Sequence, residues 1–176
     1  MKNPFLVDKQ FYLKPLELSD LSDSYLGWFN DQEICRYNSH AVFPMTMADM
    51  EAYIKRTAGS RSELAFAIRA VKNDRHIGNV ALQNINWVAR SAEFSILIGD
   101  KKYWGKNIGY TAGKLLMEYG RDRLNLRRIS CGTHAENTGM RNLALKLGMK
   151  QEGVRKEAYY KEGKYSDLIE YGVVFK

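Results

Sequence analysis

The stretch AEFSILIGDKKYWGKNIGYTAGKLL, residues 92–116, carries the clearest structural signal in this chain. Phe94, Ile96 and Ile98 fall on one side of a period-two alternation, which is typical of a strand with two different faces. Beyond it, apolar residues recur at helical spacing along one stripe: Ile108, Ala112, Leu115, Leu116 and Tyr119. The stretch therefore predicts a strand that leads through a short glycine-containing loop into an amphipathic helix.

The loop, WGKNIG (residues 104–109), has two interpretations. A helix N-terminus presents unpaired backbone N–H groups and a partial positive charge, so the loop fits an anion site with Lys102 and Lys106 beside it. It also fits an ordinary turn between a strand and a helix. Neither standard nucleotide pattern matches, because Leu115 stands where a Walker loop needs a hydroxyl and Asn107 interrupts the dinucleotide glycine pattern.

The composition predicts one globular domain over residues 1–176, since 45% of the residues are hydrophobic and 27% are charged. The net charge of +7 favours an anionic partner, but the basic residues form no stripe, so we expect no nucleic acid. The N-terminus lacks the apolar run of a signal peptide, and no stretch could span a membrane. Cys35 and Cys131 match no metal or redox spacing. We expect a cytoplasmic protein with reduced thiols, no membrane contact and no metal.

The predicted elements follow the order strand, two helices, three strands, helix, strand, helix and two strands. Ser19 is the predicted N-cap of the first helix and Thr46 that of the second. Consecutive strands in the middle of the chain favour a mixed sheet with helices on its faces. The predicted class is α/β of the α+β type, with a mostly antiparallel central sheet of about seven strands flanked by four helices.

Five segments in the second half of the chain occur in a specific order: AEFSILIGD, YWGKNIG, YTAGKLLMEYGRDRLNLRRI, SCGTH and AENTGMRNLALKLGMKQEG. Together they resemble the acetyl-CoA-binding core of the GNAT acyltransferases. The closest branch holds ribosomal-protein N-terminal, spermidine and amino-sugar acetyltransferases. The resemblance covers residues 11–175 in element order and is most specific from Ala92 to Gly153. It implies a single GNAT domain that uses acetyl-CoA as a co-substrate.

The resemblance assigns the loop to the pyrophosphate of coenzyme A, held by backbone N–H groups. The family pattern Q/R-x-x-G-x-G/A falls on Trp104, Asn107 and Gly109, so the first two positions depart from it. Asn tolerates the left-handed conformation better than other residues with a side chain. The family's fourth strand also holds the pantetheine and polarises the acetyl carbonyl through its backbone. The residues implied for acetyl-CoA are Ser95, Leu97, Ile98, Trp104, Gly105, Lys106, Asn107, Ile108, Gly109, Tyr110 and Asn137.

Acetyl transfer to an amine needs a base, a stabilised oxyanion and a proton for the departing thiolate. Glu93 is the predicted base, because several family members place a catalytic glutamate near the start of this strand. The alternative is a surface glutamate paired with Arg90 or another basic residue. The family's usual acids are missing, since Ala144 stands seven residues after Asn137 and Met140 stands three after it. Asn137 itself fits either a coenzyme contact or a helix N-cap.

The segment RYNSHAVFP lies between the first two helices, where the family shapes its acceptor pocket. Its predicted substrate-binding residues, which suit a polyhydroxylated acceptor, are Tyr37, Asn38, Ser39 and His40. The alternative is a solvent loop. An amino sugar, free or nucleotide-linked, is the favoured acceptor; a polyamine or a protein N-terminus is the alternative. A non-catalytic acyl-CoA sensor is a further possibility, and the terminal hairpin makes a homodimer plausible.

Overall fold

A computed structural model describes all 176 residues, and its eight strands form one sheet in the order β1-β2-β3-β4-β5-β6-β8-β7. The strands are β1 (Leu6–Val7), β2 (Phe11–Pro15), β3 (Leu64–Ala70), β4 (His76–Asn86), β5 (Ser91–Ile98), β6 (Arg128–His134), β7 (Lys150–Lys161) and β8 (Lys164–Val174). The helices are α1 (Asp23–Asn30), α2 (Met47–Thr57), α3 (Ile108–Asp122) and α4 (Thr138–Lys146). None of these helices is long and apolar enough to cross a membrane.

The predicted fold class is confirmed, with one strand more than expected. β1 is only two residues long and was not predicted. Every neighbouring pair is antiparallel except β5 and β6, which run parallel. β7 lies at one edge of the sheet, and the homodimer contact expected through its hairpin stays a prediction.

Two apolar clusters cover the two faces of the sheet. α3 and α4 pack on one face, where Phe94 and Leu116 belong to a cluster of 22 buried residues. α1 and α2 pack on the other face around a smaller cluster that includes Trp28 and Met50, with Leu97 against it. The alternation predicted for β5 is therefore confirmed, because its apolar residues alternate between the two clusters.

The prediction that Ser19 caps the first helix is wrong. α1 begins at Asp23, and the hydroxyl of Ser22 accepts the hydrogen bond from the Tyr25 amide. Ser19 instead lies in a short 3-10 turn that places buried Asp20 between Lys14 and Arg69, each 2.7 Å away. The buried ion pairs stop the helix from starting earlier. The Thr46 cap of α2 is confirmed.

The one parallel pairing is also the point where the sheet opens. β5 and β6 pair only from Ser91 to Glu93 on β5, opposite Arg128 to Ser130 on β6. Beyond Glu93 the two strands diverge, so the edge of β5 that faces β6 has no strand partner. Buried backbone groups need hydrogen-bond partners, so this edge is suited to receive an extended ligand.

Candidate active site

A groove of about 560 Å³ fills the gap between the diverging ends of β5 and β6; we call it the split groove. Its wall on one side is the unpaired edge of β5, from Phe94 to Ile98. Gly132 and Thr133 of β6 and the start of α4 form the other side. Ser95, Leu97 and Ile98, which were predicted to contact acetyl-CoA, all line the split groove.

The loop between β5 and α3 forms a second hollow of about 360 Å³ that shares Ile98 and Trp104 with the split groove. Asn107 adopts the left-handed conformation with φ 62°, as Asn can at low cost, and makes no side-chain cap for α3. The amides of Ile108 and Gly109 open the helix and so lack partners within it. A helix N-terminus with free amides is an anion site, which fits the pyrophosphate.

Glycine at position 109 leaves room for such an anion. A Cβ added there would meet Ile96 Cδ1 at 3.7 Å and Leu143 Cδ2 at 3.8 Å, which are ordinary contacts. The fold therefore does not require this glycine. Its missing side chain instead keeps the floor of the hollow open to a ligand.

Three residues near this loop differ in what they contribute. Trp104 donates from its indole nitrogen to the Ile98 carbonyl at 2.7 Å, so it ties the loop to the end of β5. Lys106 stands 5.5 Å over the Tyr103 ring and lines neither hollow. Lys146, which the sequence interpretation missed, lines the loop hollow from the last turn of α4. The only feature of the sequence that could have indicated Lys146 was its position as a basic residue near the end of a helix.

Asn137 caps α4 and also lines the split groove. Its side-chain oxygen accepts a hydrogen bond from the Met140 backbone amide at 3.1 Å, and its side-chain amide donates to the Thr133 hydroxyl at 2.9 Å. The cap interpretation is therefore confirmed. Its contact with the coenzyme stays a prediction.

On the opposite side of β5 lies a cavity of about 770 Å³, which we call the front cavity. Its walls are mostly apolar and come from α2, β3, β4 and the α1–α2 loop (residues 31–46). Asn38, Ser95, Ile96 and Leu97 line both the front cavity and the split groove. The two spaces therefore meet across β5 at Ser95 to Leu97, where a group could pass from one ligand to the other.

The front cavity carries one unpaired carboxylate, Asp49, on the first turn of α2. Hydrogen bonds from Thr46 lower the pKa of Asp49, so it is ionised at neutral pH, and no cation lies within salt-bridge distance of it. The one cationic side chain of the lining, Arg56, pairs with Glu63 at 3.3 Å. Asp49 is exposed, and its Oδ2 accepts both hydrogen bonds from Thr46, which leaves Oδ1 available to attract an ammonium group.

Glu63 is buried behind the wall of the front cavity and was not singled out from the sequence. It accepts hydrogen bonds from Tyr53, Arg56 and Gln83, all of which line the cavity. Burial, with the charge of Glu63, raises the pKa of Tyr53. Because its partners come from α2 and β4, no local pattern in the sequence could indicate this role.

The four predicted acceptor residues are not equivalent. His40 and Asn38 line the front cavity, Tyr37 and Asn38 line the split groove, and exposed Ser39 lines neither. Burial lowers the pKa of His40, so its ring, which packs edge-on against Phe29, is neutral at pH 7. The hydroxyl of Tyr37 forms no hydrogen bond within the protein.

Glu93 is exposed and lines neither of the two joined spaces. Its carboxylate accepts from the Asn84 amide at 3.1 Å, and it borders a third, polar hollow with Arg128. The pairing with Arg90 that was considered as an alternative is wrong, because Arg90 donates to the Asn125 carbonyl at 2.7 Å. Ser95 follows two residues along the same face of β5. The catalytic role of Glu93 stays a prediction.

Comparison with known proteins identifies the family. The acetyltransferase (GNAT) domain matches residues 10–150. Spermidine N(1)-acetyltransferase of Escherichia coli (strain K12) is 31% identical over 158 residues, covering 89% of this chain and 82% of the relative. The probable N-acetyltransferase YjcK of Bacillus subtilis is 28% identical over 172 residues, 92% of each chain.

A solved structure shows the same fold with ligands bound. It is spermidine N-acetyltransferase from Vibrio cholerae in complex with CoA and spermine, with a TM-score of 0.86 and 26% identity over 95% of this chain and 96% of that one. The chain therefore belongs to the GNAT acetyltransferases, as the resemblance implied. It is an N-acetyltransferase, and acetyl-CoA is its acetyl donor.

Proposed function

We propose that this GNAT acetyltransferase acetylates a primary amine of a polyamine, with spermidine as the first candidate. The observation that carries the proposal is Asp49, an exposed carboxylate without a cationic partner that lines a mostly apolar cavity, and this cavity meets the split groove across β5. A polyamine offers methylene chains to the apolar walls and ammonium groups to the carboxylate. The relatives from E. coli and V. cholerae, which act on spermidine, support the same substrate class.

The amino-sugar preference has no support in the comparisons, and the front cavity argues against its nucleotide-linked form. Such a substrate carries phosphate groups that need cationic partners. Arg56 is already paired with Glu63, and His40 is neutral. The net charge of +7 therefore lies mainly outside the front cavity and does not set its preference.

In this proposal the acetyl donor and the amine bind on different sides of β5. The unpaired edge from Phe94 to Ile98 holds the donor and orients its carbonyl, while the loop amides near Gly109 hold the pyrophosphate. The amine approaches from the front cavity, near Ser95. A C–N bond forms as the C–S bond breaks, and the protons released by the amine pass through water to a base, for which Glu93, two residues before Ser95 on the same face of β5, is the candidate.

We assign proton donation to the departing thiolate to Tyr37. The family's usual donor positions hold Ala144 and Met140, neither of which has an acidic proton. Tyr37 is the one tyrosine that lines the split groove, and its hydroxyl has no partner within the protein. It gives its proton to the sulfur and regains one from water, while the base releases the proton of the amine to water, so the enzyme returns to its starting protonation state.

The test is acceptor-dependent thiol release from acetyl-CoA with three pools: polyamines, amino sugars with their nucleotides, and peptides with free N-termini. Release with the polyamine pool alone is the expected result; release only with another pool would refute the polyamine assignment. Loss of release in Glu93→Gln, with acetyl-CoA affinity unchanged, would support Glu93 as the base. Tight acetyl-CoA binding with no release from any pool would favour the sensor alternative.

A further inference from the structure

The terminal hairpin of β7 and β8 reaches the α1–α2 loop through a single side chain, Lys161. Its ammonium group donates to the carbonyl oxygens of Asn38 at 2.9 Å and His40 at 3.0 Å, and also to that of Cys35. These partners lie more than 120 residues earlier in the chain. No other hydrogen bond or ion pair joins the hairpin to the loop.

The three contacts use the whole hydrogen-bonding capacity of the lysine, which has three N–H donors and no acceptor. They bracket the part of the loop that faces both spaces, since Tyr37 and Asn38 line the split groove and Asn38 and His40 line the front cavity. Hydrogen bonds from a charged donor are stronger than neutral ones. The ammonium group is thus placed to fix this segment against both spaces at once.

The segment contains no helix or strand, and within the loop only turn hydrogen bonds hold it, such as those from the His40 amide to Asn38 and from Gln32 to the Ala41 carbonyl. It lies between the end of α1 at Asn30 and the start of α2 at Met47. Ala41, directly after His40, has φ 57°, a left-handed conformation that is unfavourable for alanine and is retained where the surroundings stabilise it. An external anchor at the His40 carbonyl meets that requirement.

We propose that Lys161 is a positioning residue for the acyl transfer: it holds the α1–α2 loop so that Tyr37 faces the split groove while Asn38 and His40 shape the front cavity. The proposal rests on the front cavity being the acceptor site. It assigns a specificity role to the hairpin tip, where neighbouring Tyr160 and Tyr165 are exposed. The hairpin thus acts on the amine without lining the front cavity.

The test compares Lys161→Met, which keeps the length of the side chain and removes its donors, with Lys164→Met as the matched control. Lys164 lies at the same hairpin tip, is exposed and forms no hydrogen bond through its side chain. We expect Lys161→Met to raise the acceptor KM about tenfold and to lower kcat, because charge-assisted hydrogen bonds are lost. The acetyl-CoA Kd should stay within twofold in both variants, because Lys161 forms no hydrogen bond with the edge of β5 or with the amides near Gly109. Lys161→Gln, with one amide donor group, should give an intermediate KM.

Hydrogen exchange of the amides from Cys35 to Ala41 gives a second readout that needs no substrate. Faster exchange there in Lys161→Met, and not in Lys164→Met, is expected even if the acceptor proves to be another amine. The proposal would be overturned if Lys161→Met had the same hydrogen-exchange rates and the same acceptor KM as Lys164→Met. An equal rise in acetyl-CoA Kd and acceptor KM, or failure of both Lys161 variants to fold, would assign Lys161 to general stability and would also overturn it.

Discussion

The two sides of β5 are built in different ways. On the split-groove side, one continuous stretch supplies backbone groups, namely the unpaired edge of β5 and the amides at the start of α3, and side chains of α4 and the α1–α2 loop complete the surface. On the front side, the cavity is built from side chains of α2, β3, β4 and the α1–α2 loop, and a lysine from the terminal hairpin anchors it. The proposed donor site thus draws its backbone groups from one stretch, whereas the proposed acceptor site depends on contacts between distant segments.

This difference explains how one fold can keep its donor while its acceptors vary. A backbone surface changes little when side chains are substituted, so the donor site tolerates sequence change. A cavity of side chains changes its charge and shape with each substitution. Substitutions on one side of β5 should therefore leave ligand binding on the other side unchanged.

Tyr37→Phe should have the largest effect, on the chemical step itself. Removing a positioned proton donor lowers the rate by about 10²-fold or more in general acid catalysis. Because a thiolate also leaves without assistance, we expect kcat to fall by at most roughly 10²-fold. The acetyl-CoA Kd and the acceptor KM should stay nearly unchanged. Steady-state kinetics with Tyr160→Phe as control checks this, because Tyr160 is exposed. An unchanged kcat would remove Tyr37 from the mechanism.

Gly109→Ala should weaken the donor side alone. The added methyl fits the fold but fills the space beside the free amides, so we expect acetyl-CoA Kd to rise about tenfold as charge-assisted hydrogen bonds weaken. Thermal stability should be equal or higher, because Ala is favoured over Gly in helices by about 1 kcal/mol. Isothermal titration and thermal melts measure both quantities.

Gly27→Ala is the matched control, since its Cβ would meet nothing within 4 Å in α1. It should raise stability and leave acetyl-CoA affinity unchanged. An acetyl-CoA Kd in Gly109→Ala equal to that of Gly27→Ala would show that the loop does not hold the pyrophosphate.

Asp49→Asn should weaken the acceptor side alone. Asn keeps a polar side chain beside Thr46 but removes the only unpaired charge of the front cavity. We expect the acceptor KM to rise about fivefold, the scale of an exposed ion pair at its strongest, with acetyl-CoA Kd unchanged. Glu51→Gln on the same helix is the control, because Glu51 pairs with Lys55 and does not line the cavity. Equal KM values for the two variants would refute the role of Asp49.

The sequence predicted the local features well. Asn107 at the left-handed position, the Thr46 cap and the alternation along β5 follow from residue types within a few positions of each other. Ser19 failed as a cap because Asp20 is held by Lys14 and Arg69, and Arg69 comes from a strand 49 residues away. The preference of serine for a cap position was outweighed by a buried charge network, which the residues around Ser19 could not indicate.

The front cavity could be predicted only in outline. The segment around His40 was placed correctly between α1 and α2, but the hydrogen bonds of Glu63 and Lys161 join segments that only the folded chain brings together. The preference for an amino sugar came from the polar groups of the segment and from the net charge of +7. It did not weigh the apolar walls from α2 and β4 or unpaired Asp49, which make the cavity suited to an aliphatic amine.

The smallest expected effect is a loss of stability in mild acid. Burial lowers the pKa of all three histidines, and His76 is enclosed by Tyr25 and Trp28. Below about pH 6.5 the unfolded chain binds protons that the folded chain does not, so the free energy of unfolding decreases as the pH falls. Carboxylates with lowered pKa values, such as Asp74, reduce the free energy of unfolding only at lower pH, where they become protonated.

Melting temperatures between pH 7.5 and 5.5 check this dependence. Because His76 donates to Asn79, which lines the front cavity, hydrogen exchange should increase around the front cavity before it increases at the start of α3. A melting temperature that rises on acidification would contradict the assignment.

The most direct test is a crystal structure with CoA and spermidine bound together. We expect CoA along the unpaired edge of β5 with its pyrophosphate at the amides near Gly109, and spermidine in the front cavity with one ammonium group near Asp49. The primary amine at its other end should reach the thiol past Ser95. Spermidine bound only outside the front cavity, or CoA bound on the front side of β5, would contradict the account.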